Sequence, residues 1–136
     1  ANREEIDAMI DYSRDFSLSY FAFNSFIRSY MLRVDDVPIE RPQDIFMRVA
    51  LQICGHDLAR VKETYDLMSL GYYTHSTPTM FNSMLQKCQL GSCFLMTVKG
   101  DDIRSIFETI GDCAIISKHS GGLGVNLHGI RSAGSA

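Results

Sequence analysis

The sequence predicts an α+β or α/β chain, with a mainly helical region over residues 1–70 and the start of an α/β domain over residues 71–136. Two observations lead to this prediction. Apolar residues recur at three- and four-residue spacing through the first half, as on the buried face of a helix. After Gly71 the pattern changes to short runs of β-forming residues on either side of one amphipathic helix.

The first long helix is predicted from Tyr12 to Arg33, with Asp15 or Ser17 as a cap. Its apolar positions are Phe16, Tyr20, Phe23, Ile27, Tyr30 and Met31. The segment is rich in aromatic residues, namely Tyr12, Phe16, Tyr20, Phe21, Phe23, Phe26 and Tyr30. An aromatic stripe at helical spacing is more often core packing than a cofactor site. We therefore interpret these aromatic side chains as packing residues.

Two more helices are predicted after a turn at residues 34–38, where Pro38 limits any strand to a sheet edge. One begins near Pro42, which suits a first helical turn, and ends at Gly55. The other follows Asp57 and ends at Gly71. Their apolar positions are Ile45, Phe46, Val49, Ala50, Ile53, Leu58, Val61, Tyr65 and Met68.

The second half contains predicted strands at residues 72–74, 93–96 and 125–127. Asp101 and Asp102 precede an amphipathic helix, where their charge suits its positive end. Lys118 lies in the last turn of that helix, and Gly121–Gly122 end it. Strand, helix and strand across residues 93–127 thus predict a βαβ-like unit.

The composition excludes several classes of protein. The chain has 136 residues, 46% of them hydrophobic, which is enough for one core. A net charge of −3 without a basic patch argues against nucleic-acid binding. No apolar run approaches the roughly 20 residues that span a bilayer, and the acidic N-terminus is unlike a signal peptide. We expect a cytoplasmic protein with reduced thiols.

The four cysteines form no C-x-x-C pair, so no zinc site is expected and we assign no metal ligands. Cys54 and Cys113 lie on apolar helix stripes. Cys93 has three interpretations: an inert core residue, a partner of Cys88, or a partner of a residue outside this chain. An extended chain would separate Cys88 from Cys93 by about 16 Å, whereas a turn would bring them together.

Two other motifs are ambiguous on their own. The glycines of Gly121–Gly124 follow a predicted helix, whereas a phosphate-binding loop precedes one, so we interpret them as a helix end and turn. Pro78 is expected to hold Thr77 in an extended segment, where its hydroxyl could bind phosphate. Most such turns simply cap helices.

In their order and spacing, these segments resemble the large subunit of class I ribonucleotide reductases. The matching stretches are His75–Asn82 (HSTPTMFN), Gln89–Leu95 (QLGSCFL), Ile116–Lys118, Gly121–Val125 and Ile130–Ser135. Upstream, the segments Arg14–Ser17, Arg28–Tyr30 and Glu40–Gln43 resemble the family as well. The similarity covers essentially the whole chain.

The resemblance implies the first strands of the family's ten-stranded α/β barrel, preceded by its helical region. It implies an enzyme that reduces ribonucleoside diphosphates to deoxyribonucleoside diphosphates by thiyl-radical chemistry. Cys93 matches a redox cysteine that passes reducing equivalents to the ribose and ends in a disulfide. Thr77, Ser92 and Gly122 match residues of the substrate site.

The resemblance also implies an allosteric site for a deoxynucleoside triphosphate or ATP with Mg²⁺. The matching residues are Asp101, Asp102, Ile103, Lys118 and Arg131. The implied partners are a second large subunit, a small subunit that holds the metal-radical cofactor, and thioredoxin or glutaredoxin.

The sequence departs from the family pattern at Gly91, at Lys87–Cys88 and at His119–Ser120. The family's ATP-binding cone, radical cysteine, second redox cysteine and shuttle cysteines have no counterpart in these residues. We therefore interpret the sequence as a reductase fragment without turnover of its own. Two alternatives stay open: a non-catalytic nucleotide-binding or interaction module, and a small redox protein that uses Cys88 and Cys93.

Overall fold

The computed structural model describes residues 2–86, 88–119 and 121–135. The chain forms two compact units, Ala1–Cys88 and Gln89–Ala136. This division lies later than residue 70 because a further short helix belongs to the first unit. Lys87 and Ser120, which belong to two of the departures from the family pattern, lie outside the described residues.

The first unit is mainly helical, as predicted. Its elements are α1 (Arg3–Met9), a 3₁₀ helix (Tyr12–Ser17), α2 (Tyr20–Ser25), a π-helical turn (Phe26–Tyr30), β1 (Arg33–Val34), β2 (Val37–Pro38), α3 (Pro42–Cys54), α4 (Leu58–Ser69) and α5 (Thr77–Asn82). Helices α3 and α4 confirm the two predicted helices after Pro42 and Asp57.

The core of the first unit lies between α3 and α4. Ile45, Val49, Val61 and Tyr65 are fully buried there. Gln43 is buried with them, and its Oε1 accepts hydrogen bonds from the hydroxyls of Tyr65 (2.9 Å) and Ser69 (2.6 Å). These two bonds satisfy hydroxyl groups that would be costly to bury unpaired.

The predicted continuous helix from Tyr12 to Arg33 is wrong, because the chain breaks around residues 18–19. Asp11 caps the 3₁₀ helix by accepting from the Ser13 N–H (3.0 Å). Ser19 caps α2 by accepting from the Ala22 N–H (3.2 Å). Neither of the predicted caps, Asp15 and Ser17, serves in that role. The buried Asp15 pairs with Arg41 at 2.7 Å, and the Ser17 hydroxyl donates to the carbonyl of Arg14.

The aromatic stripe is only partly packed. Phe26 contacts Phe46 edge to face, with ring centroids 5.5 Å apart, and lies against the core. By contrast, Phe16, Tyr20 and Phe21 are each more than 80% exposed. The packing interpretation therefore fails for these three side chains, because the break in the helix directs them away from the core.

Strands β1 and β2 form a two-stranded antiparallel hairpin that pairs Val34 with Val37. Asp35 and Asp36 have positive φ angles of 47° and 62°. Positive φ at both central residues is typical of the tight turns that match the twist of a hairpin. The predicted turn between short extended pieces is confirmed.

The strand predicted at residues 72–74 is absent. The Tyr72 N–H donates instead to the carbonyl of Leu67 (2.9 Å), and the Gly71 N–H donates to that of Met68 (3.0 Å). Gly71 has a φ of 79°. This pair of bonds is a Schellman ending, which commits Tyr72 to closing α4 rather than to a sheet.

The second unit is a β-α-β unit, as predicted, formed by β3 (Cys93–Thr97), α6 (Ile103–Lys118) and β4 (Gly122–Asn126). The two strands are parallel and in register from Cys93–Gly122 to Thr97–Asn126. No helix among the described residues is long and apolar enough to cross a membrane.

The return from α6 to β4 requires glycine. A Cβ on Gly121 would lie 2.6 Å from Cγ2 of Ile116 and 2.9 Å from the Phe94 ring. Such distances are too short for van der Waals contact, so only glycine lets the chain pass between α6 and β3. Gly121 therefore serves the turn, as the sequence indicated. Gly122 and Gly124 lie in β4, so the interpretation of these two as turn residues is wrong.

Candidate substrate and effector sites

The amino ends of β3 and β4 bring together three of the predicted substrate-site residues. Cys93 and Gly122 begin the two strands and face each other in the ladder. The Gly122 N–H donates to the carbonyl of Ser92 at 2.7 Å. A Cβ on Gly122 would lie 3.6 Å from the Cys93 sulfur. A side chain at this position would therefore fill the space beside the thiol.

The Cys93 side chain is exposed, and its thiol is free. Along β3, Cys93, Leu95 and Thr97 are exposed, whereas Phe94 and Met96 are half-buried. The Met96 sulfur accepts from the Cys113 thiol of α6 at 3.7 Å, which identifies the face that packs on the helix. Cys93 therefore lies on the face of β3 that does not pack on α6. Cys88 is likewise free and exposed.

Thr77 is the first residue of α5 and belongs to the first unit. The expectation of an extended segment here is wrong. Pro78 lies in the first helical turn, where its lack of an N–H is tolerated and its fixed φ suits the helix. The Thr77 side chain is exposed, and its hydroxyl lies 3.4 Å from that of Tyr30.

His75 lies just before α5, and its ring packs edge to face on Tyr73 with centroids 5.3 Å apart. Its Nε2 is buried without a hydrogen-bond partner among the described residues. Burial lowers the pKa of His75 below its ordinary value of 6.5. The ring is therefore neutral near pH 7 and adds no positive charge beside Thr77.

A second group of predicted site residues follows the carboxyl end of β3. We call Asp101, Asp102, Ile103 and Arg131 the effector cluster. The Asp101 carboxylate pairs with Nε of Arg131 at 2.8 Å, and both side chains are partly exposed. Asp102 caps α6 by accepting from the N–H (3.0 Å) and the hydroxyl (2.6 Å) of Ser105. The same two bonds from Ser105 hold the pKa of the Asp102 carboxyl below its ordinary value of 3.8.

Lys118 does not join this cluster. It is the last residue of α6, whereas Asp102 caps the first turn of the same helix. The 16-residue helix has a length of about 24 Å at 1.5 Å per residue. The structure therefore places Asp101, Asp102, Ile103 and Arg131 at one end of α6 and Lys118 at the other.

The group around Cys93 and the group around Asp101 lie at opposite ends of β3. Cys93 begins the strand, and Asp101 follows its end after a short loop. Four steps at about 3.3 Å give a strand length of about 13 Å. Among the described residues, no group of three or more His, Cys, Asp or Glu side chains is placed to hold a metal ion.

Sequence reasoning missed the residues that hold α5. Arg48 is buried in α3, where its guanidinium pairs with Glu40 at 2.8 Å and donates to the carbonyl of Ser83 at 2.9 Å. One signal was available. Arg48 lies three residues after Ile45 and one before Val49, so it occupies the apolar face of a predicted helix. A charged residue at such a position needs a buried partner.

Two family models match consecutive parts of the chain. The model described as ribonucleotide reductase, all-alpha domain, matches residues 16–87. The model described as ribonucleotide reductase, barrel domain, matches residues 91–136.

Curated relatives agree with these matches. The ribonucleoside-diphosphate reductase large chain of Encephalitozoon cuniculi is 52% identical over 133 residues, which are 98% of this chain and 17% of that one. The large chain of Schizosaccharomyces pombe is 48% identical over 134 residues, covering 98% of this chain and 16% of that one. The chain thus spans less than a fifth of the length of these relatives.

Among solved structures, the Actinobacillus ureae class Id ribonucleotide reductase alpha subunit matches with a TM-score of 0.72 and 25% identity. The match covers 93% of this chain and 23% of that one. The fold, the family models and the relatives together show that this chain belongs to the ribonucleotide reductase large-subunit family, with a helical region followed by part of the barrel domain.

Proposed function

We propose that the chain supplies part of the substrate site and part of the effector site of a ribonucleoside-diphosphate reductase. One observation carries this proposal. The free, exposed thiol of Cys93 lies beside Ser92 and the bare backbone of Gly122 at the amino ends of two parallel strands. This arrangement offers a reductant next to space that a small substrate can enter.

Cys93 would act as one of two reducing thiols. The reaction replaces the C2′ hydroxyl of the ribose with hydrogen and releases water, while two thiols lose two hydrogens and form a disulfide. A thiyl radical on another cysteine would first remove the 3′ hydrogen and later return it. A thioredoxin-type or glutaredoxin-type dithiol would reduce the disulfide again. We assign neither the radical cysteine nor the second thiol to this chain, so we expect no turnover from it alone.

Hydroxyl groups would bind the substrate diphosphate. Ser92 is partly exposed next to Cys93, and Thr77 is the residue of the first unit that we assign to substrate binding. Both hydroxyls can donate to phosphate oxygens, which only accept hydrogen bonds. Because Gly122 has no side chain, the substrate could approach the backbone closely there.

The effector site would use the cluster after β3. A guanidinium such as that of Arg131 makes charge-assisted bonds to a triphosphate with Mg²⁺ bound. In the free chain Arg131 pairs with Asp101, so nucleotide binding would exchange one anionic partner for another. Lys118, at the far end of α6, could reach the same nucleotide from a second copy. We accordingly propose a large-subunit homodimer.

The remaining assignments follow from the same proposal. The radical would come from a small subunit that holds the metal-radical cofactor. We also infer a cytoplasmic location, because a thiol-dependent reductase needs a compartment that keeps its cysteines reduced.

A chimaeric enzyme tests the proposal. This sequence would replace the matching 133 residues of the Encephalitozoon cuniculi large chain. With its small subunit and a dithiol, the chimaera should reduce CDP, and Cys93→Ser should abolish turnover without loss of folding. The matched control is Cys88→Ser, which should stay active because Cys88 is exposed but not assigned to the site.

Three results would separate the alternatives. A folded chimaera that reduces no substrate would contradict the proposed function. Loss of activity in Cys88→Ser as well as Cys93→Ser would favour a local redox pair. If Cys93→Ser alone is inactive yet still binds dTTP with Mg²⁺ by calorimetry, the effector cluster works independently of the thiol, as proposed.

A further inference from the structure

We propose that Tyr30, held in place by the buried Arg48–Glu40 ion pair, positions the Thr77 hydroxyl for the substrate diphosphate. Tyr30 is then a positioning residue, since it acts through Thr77 and not on the substrate itself. The inference rests on the proposed function, because it requires that Thr77 bind substrate.

The guanidinium of Arg48 uses all five of its N–H donors. Its Nε donates to Oε1 of Glu40 (2.8 Å), and Nη2 donates to Oε2 of Glu40 (3.2 Å) and to the carbonyl of Tyr30 (3.5 Å). Its Nη1 donates to the carbonyls of Phe81 (3.2 Å) and Ser83 (2.9 Å). One planar group thereby joins the π-helical turn, the segment before α3 and the end of α5.

Glu40 is fixed as firmly as Arg48. The side chains are 10% and 8% exposed, respectively. Besides Arg48, the Glu40 carboxylate accepts from the Leu32 N–H at 2.9 Å. A charged pair that is buried and fully hydrogen-bonded holds its geometry, because any rotation would leave a charge without a partner.

Helix α5 depends on this anchor. It has six residues, too few for a helix to be stable without tertiary contacts. At its carboxyl end, Arg48 binds the carbonyl of Phe81, and the Ser83 hydroxyl donates to the carbonyl of Thr79 at 2.6 Å. These bonds and the burial of Met80 in the core hold the helix, and hence Thr77 at its start, against the rest of the unit.

Tyr30 contacts both ends of one face of α5. Thr77 and Phe81 are four residues apart and therefore lie on the same side of the helix. The Tyr30 ring stacks on Phe81, with centroids 4.8 Å apart and planes inclined by 20°. Its hydroxyl lies 3.4 Å from Oγ1 of Thr77. The stacked ring thus determines where the phenolic oxygen meets Thr77.

This contact has a direct chemical consequence. When the Tyr30 hydroxyl donates to Oγ1 of Thr77, the Thr77 hydrogen is left to point elsewhere. A phosphate oxygen needs a donor, and a chain of two hydrogen bonds polarises the donor that ends it. Tyr30 therefore prepares Thr77 to donate to a diphosphate.

Steady-state kinetics of the chimaeric enzyme test this role. Tyr30→Phe keeps the stacked ring and removes only the hydroxyl. We expect KM for CDP to rise about three- to tenfold, the equivalent of one hydrogen bond. The kcat should stay within about twofold, because Tyr30 does not touch the reacting atoms. The matched control is Tyr20→Phe, which removes the hydroxyl of a tyrosine that is 87% exposed and should leave KM unchanged.

A double variant separates positioning from a general structural effect. If Tyr30 acts through Thr77, Tyr30→Phe should add nothing to the KM of Thr77→Val, whereas independent effects would multiply. The thermal midpoint of Tyr30→Phe should stay within about 2 °C of the parent, because the hydroxyls of Tyr30 and Thr77 are exposed and water can replace their mutual contact in the folded chain.

Three outcomes would overturn the inference. They are an unchanged KM in Tyr30→Phe, multiplicative effects in the double variant, and a KM change that appears equally in Tyr20→Phe. In each of these cases the parent chimaera still reduces CDP, so the proposed function survives. An inactive, folded parent contradicts the proposed function and this inference with it.

Discussion

The two units of this chain differ in how they bury their apolar side chains. The first unit encloses a core in which Ile45, Val49 and Val61 are fully buried. In the second unit, only Val98 and Thr109 are buried among the described residues. Leu95 is 93% exposed there, and Phe107 is 63% exposed.

The buried core and most of the candidate site residues therefore lie in different units. The second unit holds the candidate redox cysteine and all five candidate effector residues, yet its described residues form no core of their own. Parallel strands are normally covered on both faces, and β3 and β4 are covered by α6 on one face. We expect further elements of the family's barrel domain to cover the other face. Most candidate site residues thus lie in the second unit, whose stability depends more on contacts with elements outside it.

The largest expected effect comes from separating the units. A fragment of residues 1–88 should unfold cooperatively in urea, because it contains the core. A fragment of residues 89–136 should show no cooperative transition and should bind a hydrophobic dye such as ANS, because its apolar surface is exposed. Circular dichroism and dye fluorescence measure both properties. Cooperative unfolding of the second fragment would show that it encloses a core of its own.

The second-largest expected effect is on the stability of the first unit. Arg48→Met in the 136-residue chain should lower the free energy of unfolding by about 3–5 kcal/mol, because it leaves Glu40 buried without its partner. The matched control is Arg60→Met, whose pair with Asp57 is 76% and 53% exposed. That change should cost less than about 1 kcal/mol. Equal costs in urea unfolding would show that Arg48 does not anchor the unit.

The smallest effect concerns the second unit. Gly121→Ala should destabilise the β3–β4 pair by about 1–3 kcal/mol, since its Cβ would overlap Ile116. Gly111→Ala is the control, because a Cβ there meets nothing within 4 Å in the middle of α6. It should stabilise the helix by about 0.5–1 kcal/mol. Amide hydrogen exchange in the chimaeric enzyme would report both changes, and faster exchange in Gly111→Ala would contradict the packing described here.

The sequence predicted those elements whose signals are local. Helices α3, α4 and α6 follow apolar spacing with caps or glycines nearby, and the β-α-β unit follows from its strand and helix patterns. The redox role of Cys93, at the start of β3, is an expectation from the family resemblance. Periodicity alone left it among three interpretations.

What the sequence missed depends on contacts between distant residues. From the sequence alone Asp15 is a plausible helix cap, but in the fold it accepts a hydrogen bond from Arg41, 26 positions away. The sequence predicts a strand at Tyr72, but in the fold its N–H donates to the carbonyl of Leu67 and ends α4. The Tyr30–Thr77 contact joins residues 47 positions apart. No local pattern records such pairings, because each partner alone is compatible with several structures.

Arg48 limits how the sequence of this region can change. Lysine keeps the charge but has three donors on one nitrogen, so it cannot reach the carbonyls of Phe81 and Ser83 and both oxygens of Glu40 together. An apolar replacement would need a simultaneous change at Glu40, and it would still leave the end of α5 without its donor. Any lineage that lost Arg48 would therefore have to rebuild three separate segments together to recover both the fold and the place of Thr77.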